Sequence, residues 1–408
     1  MNFQQPSKQQ QTVVLSSGNE LGRQSLVAPL VQSTTYVQES LPAEPGHTYS
    51  RCSNPTVAEL ERVLGELESA PPAVCFSTGI AAETALFLTL LNAGDHVVAG
   101  AAIYGGTVRL LNDLLTRFGV EVTFVDAADP EQVRAAIQEN TRLVFLETPA
   151  NPTLELTDIE AIAEIVRESD ALLAVDNTFL TAVYQKPLDL GADISLYSTT
   201  KHIEGHSAAL GGAIVTRDEA LLEKLIWTRK TTGTIQTPYN AWLTRQGLKT
   251  LPLRAKQHSE NALAFAKFLE DHPLVERISY PGLASFPQNE LACRQHLGGH
   301  GGVIAIEFVG GYETAREFLP HLEVGRLCEH VGTVETLYTH PASMTHCDVP
   351  VDQLEEAGIT PGLIRISVGI EDIESIIADF QNAARKIEIE KPEPEIAKVE
   401  ADLCPVTN

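Results

Sequence analysis

Short apolar segments alternate with amphipathic ones through the middle of the chain. Five segments are continuous apolar runs, which predict strands covered on both faces, at residues 96–100, 121–126, 143–147, 172–176 and 194–198. Helix-start signals fall between them. Asp129 precedes Pro130 as a predicted N-cap, and Thr157 stands three residues before Glu160 in the spacing of a capping box. This rhythm, from about residue 75 to 215, predicts a largely parallel α/β sheet.

The C-terminal part of the chain has a different pattern. A helical stretch at 238–271 precedes predicted strands at 302–308, within 326–338 and at 363–368, with helices at 312–319 and 372–386 between or after them. This order predicts a smaller α+β domain. The expected organisation is an N-terminal arm at 1–60, an α/β domain at 61–248, an α+β domain at 249–388 and an acidic, disordered tail at 389–408.

Composition narrows the functional class. The 408 residues, 43% of them hydrophobic, suffice for two domains with large cores. A net charge of −25 argues against binding nucleic acid or an anionic membrane surface. No apolar run approaches the roughly 20 residues of a membrane span, and the polar N-terminus lacks the apolar core of a secretory signal. The six cysteines include no CxxC pair, which indicates neither a zinc cluster nor a disulfide framework. We therefore expect a cytoplasmic protein without a bound metal.

Polar side chains follow three of the predicted strands. Asp176 ends one strand, Lys201 comes shortly after the next, and Asn151 follows a third. Because ligands of open α/β sheets bind beyond the carboxyl ends of the strands, we expect these side chains to line one crevice.

An anion site is predicted before the apolar helical run at residues 81–91. The turn Ser77-Thr78-Gly79 would present free N–H groups and the helix dipole to an anion, and Ser198 and Thr200 could add hydroxyl donors. A lysine amine, an acid for a pyridinium nitrogen and a phosphate-binding helix end describe a pyridoxal phosphate site. Taken singly, such a lysine is more often a surface residue and such an aspartate often only a cap. The combination in this order is more specific.

Eight motifs connect the chain to a known family. They are YSRCSNPT (49–56), FSTGIAA (76–82), YGGT (104–107), ETPANPT (147–153), VDNTF (175–179), STTKHIEGH (198–206), HPASMTH (340–346) and LIRISVGIED (363–372). Through them the chain resembles the Cys/Met-metabolism (trans-sulfuration) family of pyridoxal phosphate-dependent enzymes over roughly residues 15–388. The resemblance implies a fold-type-I, aspartate-aminotransferase-like transferase fold, with a mostly parallel sheet in the large domain and a smaller α+β C-terminal domain.

The resemblance also implies roles for individual residues. Lys201 matches the lysine that forms the Schiff base with the cofactor, and Asp176 matches the partner of the pyridine nitrogen. Tyr104 matches the tyrosine that stacks on the cofactor ring and serves in acid–base steps. Asn151 matches a contact to the cofactor's phenolic oxygen or to the substrate, and Arg365 matches the arginine that binds the substrate carboxylate.

Binding of the cofactor phosphate is assigned in the same way. Four residues match the phosphate cradle: Gly79, Ile80, Ser198 and Thr200. Tyr49 and Arg51 match residues that reach the phosphate of a neighbouring subunit. The resemblance therefore implies a homodimer with shared sites, assembled as a dimer of dimers, that is, a homotetramer.

Three positions depart from patterns common in the family. Ala208 follows His206-Ser207 where many members carry an aspartate, and Gly106 stands where well-known methionine γ-lyases carry a cysteine. His330 replaces a serine that helps to hold the substrate carboxylate. Two alternatives stay open for His330: it alters the substrate pocket, or it fills space while backbone groups hold the carboxylate.

The expected activity is γ-replacement on an activated homoserine or sulfur amino acid, as in cystathionine γ-synthase or the O-acylhomoserine sulfhydrylases. The alternative is γ-elimination, as in methionine or cystathionine γ-lyases, which yields 2-oxobutanoate, ammonia and a thiol. A third interpretation is a pyridoxal phosphate-binding protein without turnover. The joint presence of Lys201, Asp176, Tyr104 and Arg365 speaks against that one.

Overall fold

A computed structural model describes residues 8–15, 25–41, 46–347, 354 and 358–387. Its larger sheet has seven strands in the order β1-β7-β6-β5-β4-β2-β3. The strands are β1 (Val74–Phe76), β2 (His96–Gly100), β3 (Glu121–Val125), β4 (Thr141–Glu147), β5 (Leu172–Asp176), β6 (Ile194–Tyr197) and β7 (Gly212–Thr216). Strands β2 to β6 are mutually parallel, whereas β7 runs antiparallel to both β6 and β1.

The helices of this part of the chain cover both faces of the sheet. They are α1 (Lys8–Val13), α2 (Pro55–Leu67), α3 (Gly79–Leu90), α4 (Gly105–Arg109), α5 (Pro130–Ala136), α6 (Ile159–Val166), α7 (Thr181–Tyr184), α8 (Glu219–Thr232) and α9 (Pro238–Leu248). Helix α4 continues into a π-helical turn, Leu110–Leu114, and a 3-10 turn, Leu115–Phe118. Along β4, Leu143 and Phe145 belong to one buried core and Val144 and Leu146 to another. Burial on both faces explains why these strands are apolar throughout.

The second sheet has five strands in the order β10-β11-β12-β9-β8. They are β8 (Val275–Ser279), β9 (Val303–Phe308), β10 (Arg326–Leu327), β11 (Leu337–Thr339) and β12 (Leu363–Ser367), accompanied by α10 (Leu251–Glu270), α11 (Asn289–Gln295), α12 (Gly311–Phe318) and α13 (Ile373–Ala384). A cluster of aromatic rings that includes Phe265, Phe318 and Phe380 forms its core. The predicted α+β character of this part of the chain is confirmed.

Most predicted strands agree with the structure, but three strands were missed. Strand β1 has only three residues, β7 follows directly on Gly211, and β8 carries the partly exposed sequence VERIS, so none forms a long apolar run. The helical stretch predicted at 238–271 consists of two helices, because α9 ends at Leu248 and α10 begins at Leu251. The proposed boundary at 248 lies at that break, and the boundary at 60 lies within α2. The proposed tail at 389–408 lies outside the described residues.

Helix starts were predicted with mixed success. Asp129 caps α5 as expected, since its side chain accepts a hydrogen bond from the backbone N–H of Glu131. The capping box at Thr157 is wrong. Asp158 caps α6 instead by accepting from the N–H of Ala161. The backbone N–H of Thr157 is bound to the Thr148 hydroxyl, and its carbonyl accepts from Gln295, so this residue belongs to the preceding loop.

Within the described residues, no helix has the length and apolar character needed to cross a membrane.

Candidate active site

A cavity of about 590 Å³ lies at the carboxyl ends of β4, β5 and β6. Nine of the predicted site residues line it: Gly79, Ile80, Tyr104, Asn151, Asp176, Ser198, Thr200, Lys201 and Arg365. The parallel register explains part of this convergence, because Glu147 and Asp176 are partners at the last position of β4 and β5. Of the other three, His330 is not among the lining residues but contacts Lys201, while Tyr49 and Arg51 lie elsewhere.

Lys201 is largely buried and reaches the ring of His330. Its Nζ lies 3.2 Å from Nδ1 of His330. Burial and the nearby Arg365 lower the pKa of Lys201 to about 8, because both disfavour the ammonium form. Burial and the charge of Lys201 lower the pKa of His330 to about 4. Near neutral pH, therefore, a neutral imidazole contacts an amine that gives up its proton readily.

Asp176 supplies a buried carboxyl to the cavity. Its Oδ1 accepts a hydrogen bond of 2.9 Å from the backbone N–H of Thr178. Burial nevertheless raises its pKa to about 6, since desolvation disfavours the anion. Asp176 is 7% exposed, so a cation placed beside it would be shielded from water.

The N-terminus of α3 forms one wall of the cavity. Thr78 caps this helix by accepting from the N–H of Ala81, and Gly79 and Ile80 form its first turn. A Cβ added to Gly79 would lie 3.0 Å from Cβ and 3.2 Å from Oγ of Ser198, so glycine lets the helix end approach that serine without crowding it. Thr200, which also lines the wall, exchanges hydrogen bonds with the backbone of Gly211. Free helix N–H groups and a serine hydroxyl suit a phosphate.

Tyr104 precedes α4 and lies at the mouth of the cavity, 37% exposed. Its backbone N–H donates a 2.6 Å hydrogen bond to Oε2 of Glu147 at the end of β4. Gly106 leaves room for the Tyr104 ring, because an added Cβ would lie 2.4 Å from Cε1 of that ring. The ring can therefore cover a planar group held in the cavity.

Arg365 is held on β12 by neutral oxygen acceptors. Its guanidinium donates to Oδ1 of Asn151 at 2.8 Å, to the Thr339 hydroxyl at 3.0 Å and to the His330 carbonyl at 3.3 Å. Its Nε is buried and has no hydrogen-bond partner among the described residues. Burial lowers its pKa to about 10, so the group stays cationic near neutrality. A carboxylate that enters the cavity would bind to a guanidinium that is fixed in place and fully charged.

Four charged residues of the cavity wall were not predicted as site residues: Glu83, Arg109, Glu147 and Glu329. The sequence indicates each of them only weakly. Glu83 is a lone acid in an apolar helical run, Arg109 follows Tyr104 by five residues, Glu147 ends a predicted strand as Asp176 does, and Glu329 precedes His330.

Tyr49 and Arg51 lie together outside the cavity of their own chain. The Arg51 guanidinium carbon lies 5.4 Å from the centre of the Tyr49 ring, and the guanidinium donates to the Lys230 carbonyl. Tyr49 is 45% exposed.

Ala208, which departs from the family pattern, lies in a turn organised by Glu204. The backbone N–H of Ala208 donates to the Glu204 carboxylate, which also accepts from the N–H of His206.

A second cavity, of about 720 Å³, shares only Glu147 with the first. Its other charged lining residues are Asp126, Glu155, Arg277 and Glu307. Arg277 and Glu307 form an ion pair with each other. The described residues that line this larger cavity include no lysine or histidine, so they offer no counterpart to the chemistry of Lys201.

The residues of the first cavity fit pyridoxal phosphate. A lysine amine, a shielded carboxyl and a helix end that approaches Ser198 closely at Gly79 are present in one space. This donor set matches an aldehyde, a pyridinium nitrogen and a phosphate, respectively.

Comparisons with known proteins extend over nearly the whole chain. A family model described as Cys/Met metabolism PLP-dependent enzyme matches residues 11–385. The chain is 44% identical to cystathionine gamma-lyase of Bacillus subtilis over 359 residues, which are 88% of this chain and 94% of that protein. It is equally 44% identical to cystathionine gamma-synthase of Mycobacterium tuberculosis over 356 residues, 87% of this chain and 91% of that one. The crystal structure of cystathionine gamma synthase from Xanthomonas oryzae pv. oryzae, in complex with aminoacrylate and cysteine, matches with a TM-score of 0.89 at 37% identity. That match covers 93% of this chain and 99% of the other.

Proposed function

The chain belongs to the Cys/Met metabolism family of pyridoxal phosphate-dependent enzymes, and from that premise we propose that it catalyses γ-replacement on an activated homoserine. It is a pyridoxal phosphate-dependent enzyme of sulfur amino acid metabolism, and the fold and family expected from its sequence are confirmed. The proposed reaction joins an O-acylhomoserine to a thiol. The γ C–O bond breaks, a C–S bond forms, and the carboxylate leaves while the thiol gives up its proton.

Each end of the cofactor is assigned to residues of the first cavity. We assign the phosphate to the first turn of α3 with Ser198 and Thr200, the ring nitrogen to Asp176 and the ring face to Tyr104. Asn151 supports Arg365 in this arrangement, because its Oδ1 accepts from that guanidinium. When bound, the cofactor supplies an aldehyde that condenses with amines and a ring that stores electrons.

Lys201 is the proposed proton carrier. Its lowered pKa, about 8, lets the amine accept a proton from the substrate α-carbon and return it at a neighbouring carbon. His330 is neutral at that pH and can accept a hydrogen bond from Nζ, which would hold the amine in place between transfers. This contact favours the alternative in which His330 affects the site over the one in which it only fills space.

Arg365 is the proposed site of the substrate α-carboxylate. The unpartnered Nε and the fork held by Asn151 and Thr339 support this role. Binding here places the amino group of the same substrate within the cavity that contains Lys201.

In this proposal, the charges of Arg109 and Glu329 determine which substrate the enzyme prefers. One cationic and one anionic side chain line the cavity together with Arg365, the proposed partner of the α-carboxylate. A distal group that carries both an amine and a carboxylate, as the cysteine half of cystathionine does, can be matched by this pair. The apolar end of methionine offers neither charge. We therefore favour cysteine as the thiol and cystathionine as the product.

Elimination from cystathionine is the second candidate. The same two charges would bind cystathionine as a substrate, and a protein named cystathionine gamma-lyase is as similar in sequence as one named cystathionine gamma-synthase. The two reactions differ in whether a thiol or water completes the turnover.

A substrate panel tests the proposal. The purified enzyme is given O-acetylhomoserine, O-succinylhomoserine, cystathionine or methionine, each with and without cysteine, and the products are identified by mass. Replacement predicts cystathionine from an acylhomoserine plus cysteine. Formation of 2-oxobutanoate from cystathionine with no use of acylhomoserine would instead establish elimination.

We also propose a homodimer with shared sites, assembled as a dimer of dimers. The support is that Tyr49 and Arg51 are outside their own chain's cavity, and that the arm before them exposes Leu26, Val37 and Leu41 almost fully. Large apolar side chains exposed in this way are typical of a surface that another copy covers.

We also propose a cytoplasmic location. It fits the five cysteines of the described residues, which are all free thiols.

A further inference from the structure

Glu83 is a buried carboxyl of the cavity that the proposed mechanism does not use. It lies in the second turn of α3, within the sequence GIAAETALFLTL, and is 2% exposed. No described lysine, arginine or histidine forms an ion pair with it. A buried carboxylate without a cation is costly, so a carboxyl at this position needs either a hydrogen-bond partner or a proton.

Its hydrogen bond connects two elements of the cofactor site. The Thr107 hydroxyl donates to Oε2 of Glu83 at 2.7 Å. Thr107 lies in α4, three residues after Tyr104, whose backbone N–H donates to Glu147. Helix α4 and the residue before it, Tyr104, are therefore fixed by two buried carboxyls, one from α3 and one from β4.

The charge of Glu83 is coupled to that of Asp176. Burial and the nearby Asp176 raise the pKa of Glu83 to about 8, whereas the pKa of Asp176 is raised by burial to about 6. Like charges in one desolvated space do not ionise together readily, and the group with the lower pKa ionises first. The titratable or charged groups that face the same cavity are Tyr104, Arg109, Glu147, Asp176, Lys201, Glu329, Cys347 and Arg365.

We propose that Glu83 is a positioning residue of the cofactor site, which anchors α4 through Thr107 and, as a neutral acid, leaves the negative charge on Asp176 until the solution becomes alkaline. This inference rests on the proposed role of Asp176 as partner of the ring nitrogen. In alkaline solution Glu83 ionises and adds a further negative charge near Asp176. This additional negative charge would raise the pKa of a cationic group bound in the cavity, so that group would stay protonated to higher pH.

A glutamine at this position separates the two roles. Its amide oxygen can accept from Thr107 as the carboxyl does, but it never ionises. Glu83→Gln should therefore resemble the wild type while Glu83 is neutral and differ from it once Glu83 would be charged. One charge within about 10 Å, at an effective dielectric constant of about 20, shifts a neighbouring titration by roughly one pH unit.

The experiment is a pH titration of the cofactor absorbance in the holoenzyme, from pH 6 to 10. Below pH 7 the spectra of wild type and Glu83→Gln should superimpose. The midpoint of the absorbance change should be lower in Glu83→Gln by at least about half a pH unit. Glu68→Gln is the matched control, because Glu68 is also fully buried and accepts from a hydroxyl, that of Tyr197, but lies outside the cavity. Its midpoint should be that of the wild type. An equal or higher midpoint in Glu83→Gln would overturn the proposal.

A second pair of variants covers the case in which Glu83→Gln does not fold. Thr107→Val removes the donor that stabilises ionised Glu83, so Glu83 should ionise at higher pH and the midpoint should fall, by less than in Glu83→Gln. Thr107→Ser keeps a hydroxyl and should titrate as the wild type does. A wild-type midpoint in Thr107→Val would show that the Thr107 hydroxyl does not stabilise ionised Glu83, and would overturn the proposed link between the two residues. Because these titrations need no turnover, they stay interpretable if the enzyme performs elimination instead of replacement.

Discussion

At the scale of single residues, Lys201 shows how burial alters reactivity. The lowered pKa, about 8, means that a substantial fraction of the amine is neutral in mildly alkaline solution, where an exposed lysine would be almost wholly protonated. Only the neutral amine attacks an aldehyde. After the cofactor is removed, its recapture should therefore speed up with rising pH and level off above a midpoint near 8. Stopped-flow absorbance between pH 6 and 10 measures this rate.

The control for that measurement is the exposed Lys224 on α8. Lys224→Ala should recapture the cofactor as the wild type does, whereas Lys201→Ala should form no absorbance band of the lysine-linked cofactor. A rate that keeps rising to pH 10 without a plateau would show that Lys201 titrates as an ordinary exposed lysine.

Arg365 leads to a prediction about substrate binding. Arg365→Lys keeps a positive charge but removes the planar fork, so one point charge replaces a two-pronged carboxylate contact. We expect KM for the amino acid substrate to rise at least about tenfold, with cofactor affinity nearly unchanged. Steady-state kinetics and cofactor titration measure the two quantities. Arg316→Lys, at an exposed position of α12, is the matched control and should change neither. An unchanged KM in Arg365→Lys would remove Arg365 from the substrate site.

How far the site could be predicted from sequence also depends on the residue. Asp176 and Lys201 follow apolar strands that run parallel, so the general rule for strand ends brings them into one cavity. Glu83 lies inside an apolar helix, and nothing in the period of that helix indicates that this face meets the cavity. Arg109 and Glu329 depend on how the α4 turn and the loop after β10 pack against the strands, which is tertiary information.

At the scale of elements, the start of α6 shows how local signals compete. Thr157 satisfies the capping-box spacing, but its backbone is occupied by Thr148 and Gln295, and Asp158 caps the helix while also pairing with Arg294. Asp158→Ala should reduce the free energy of unfolding by about 1 kcal/mol. Thr157→Val should reduce it by less than about half of that, because its hydroxyl makes no capping bond. Denaturant unfolding followed by circular dichroism measures both. A greater loss in Thr157→Val would reinstate the capping box.

The elements that were not predicted from the sequence also have local physical explanations. Strand β8 lies at the edge of its sheet, where β9 is its neighbouring strand, and Glu276 and Arg277 are exposed. Its sequence therefore lacks the apolar run of an inner strand. The break between α9 and α10 falls before Pro252, which is placed in the first turn of the new helix. A proline inside an apolar helical pattern is a sequence signal for a boundary, and it was available in this chain.

At the scale of the whole molecule, the shared-site proposal predicts complementation between defective subunits. Arg51→Ala and Lys201→Ala should each be nearly inactive alone. If Arg51 serves the neighbouring subunit, a mixed dimer has one site with both defects and one with neither. Random exchange makes about half of the dimers mixed, so roughly a quarter of wild-type activity should return.

The matched control mixes Lys201→Ala with Asp176→Asn. Both residues line the cavity of their own chain, so every site of a mixed dimer keeps one defect and no activity should return. If subunits exchange but Arg51→Ala and Lys201→Ala also fail to complement each other, Arg51 acts within its own subunit.

The most direct test of the proposed γ-replacement is the fate of the acylhomoserine carbon chain during a single incubation. O-Succinylhomoserine and O-acetylhomoserine are each supplied with saturating cysteine, and cystathionine and 2-oxobutanoate are quantified together by mass spectrometry. Replacement, with Arg109 and Glu329 binding the cysteine half, predicts that cystathionine exceeds 2-oxobutanoate for at least one of the two donors. If 2-oxobutanoate is the main product from both donors while added cystathionine is consumed, the enzyme performs γ-elimination and the proposed function is wrong.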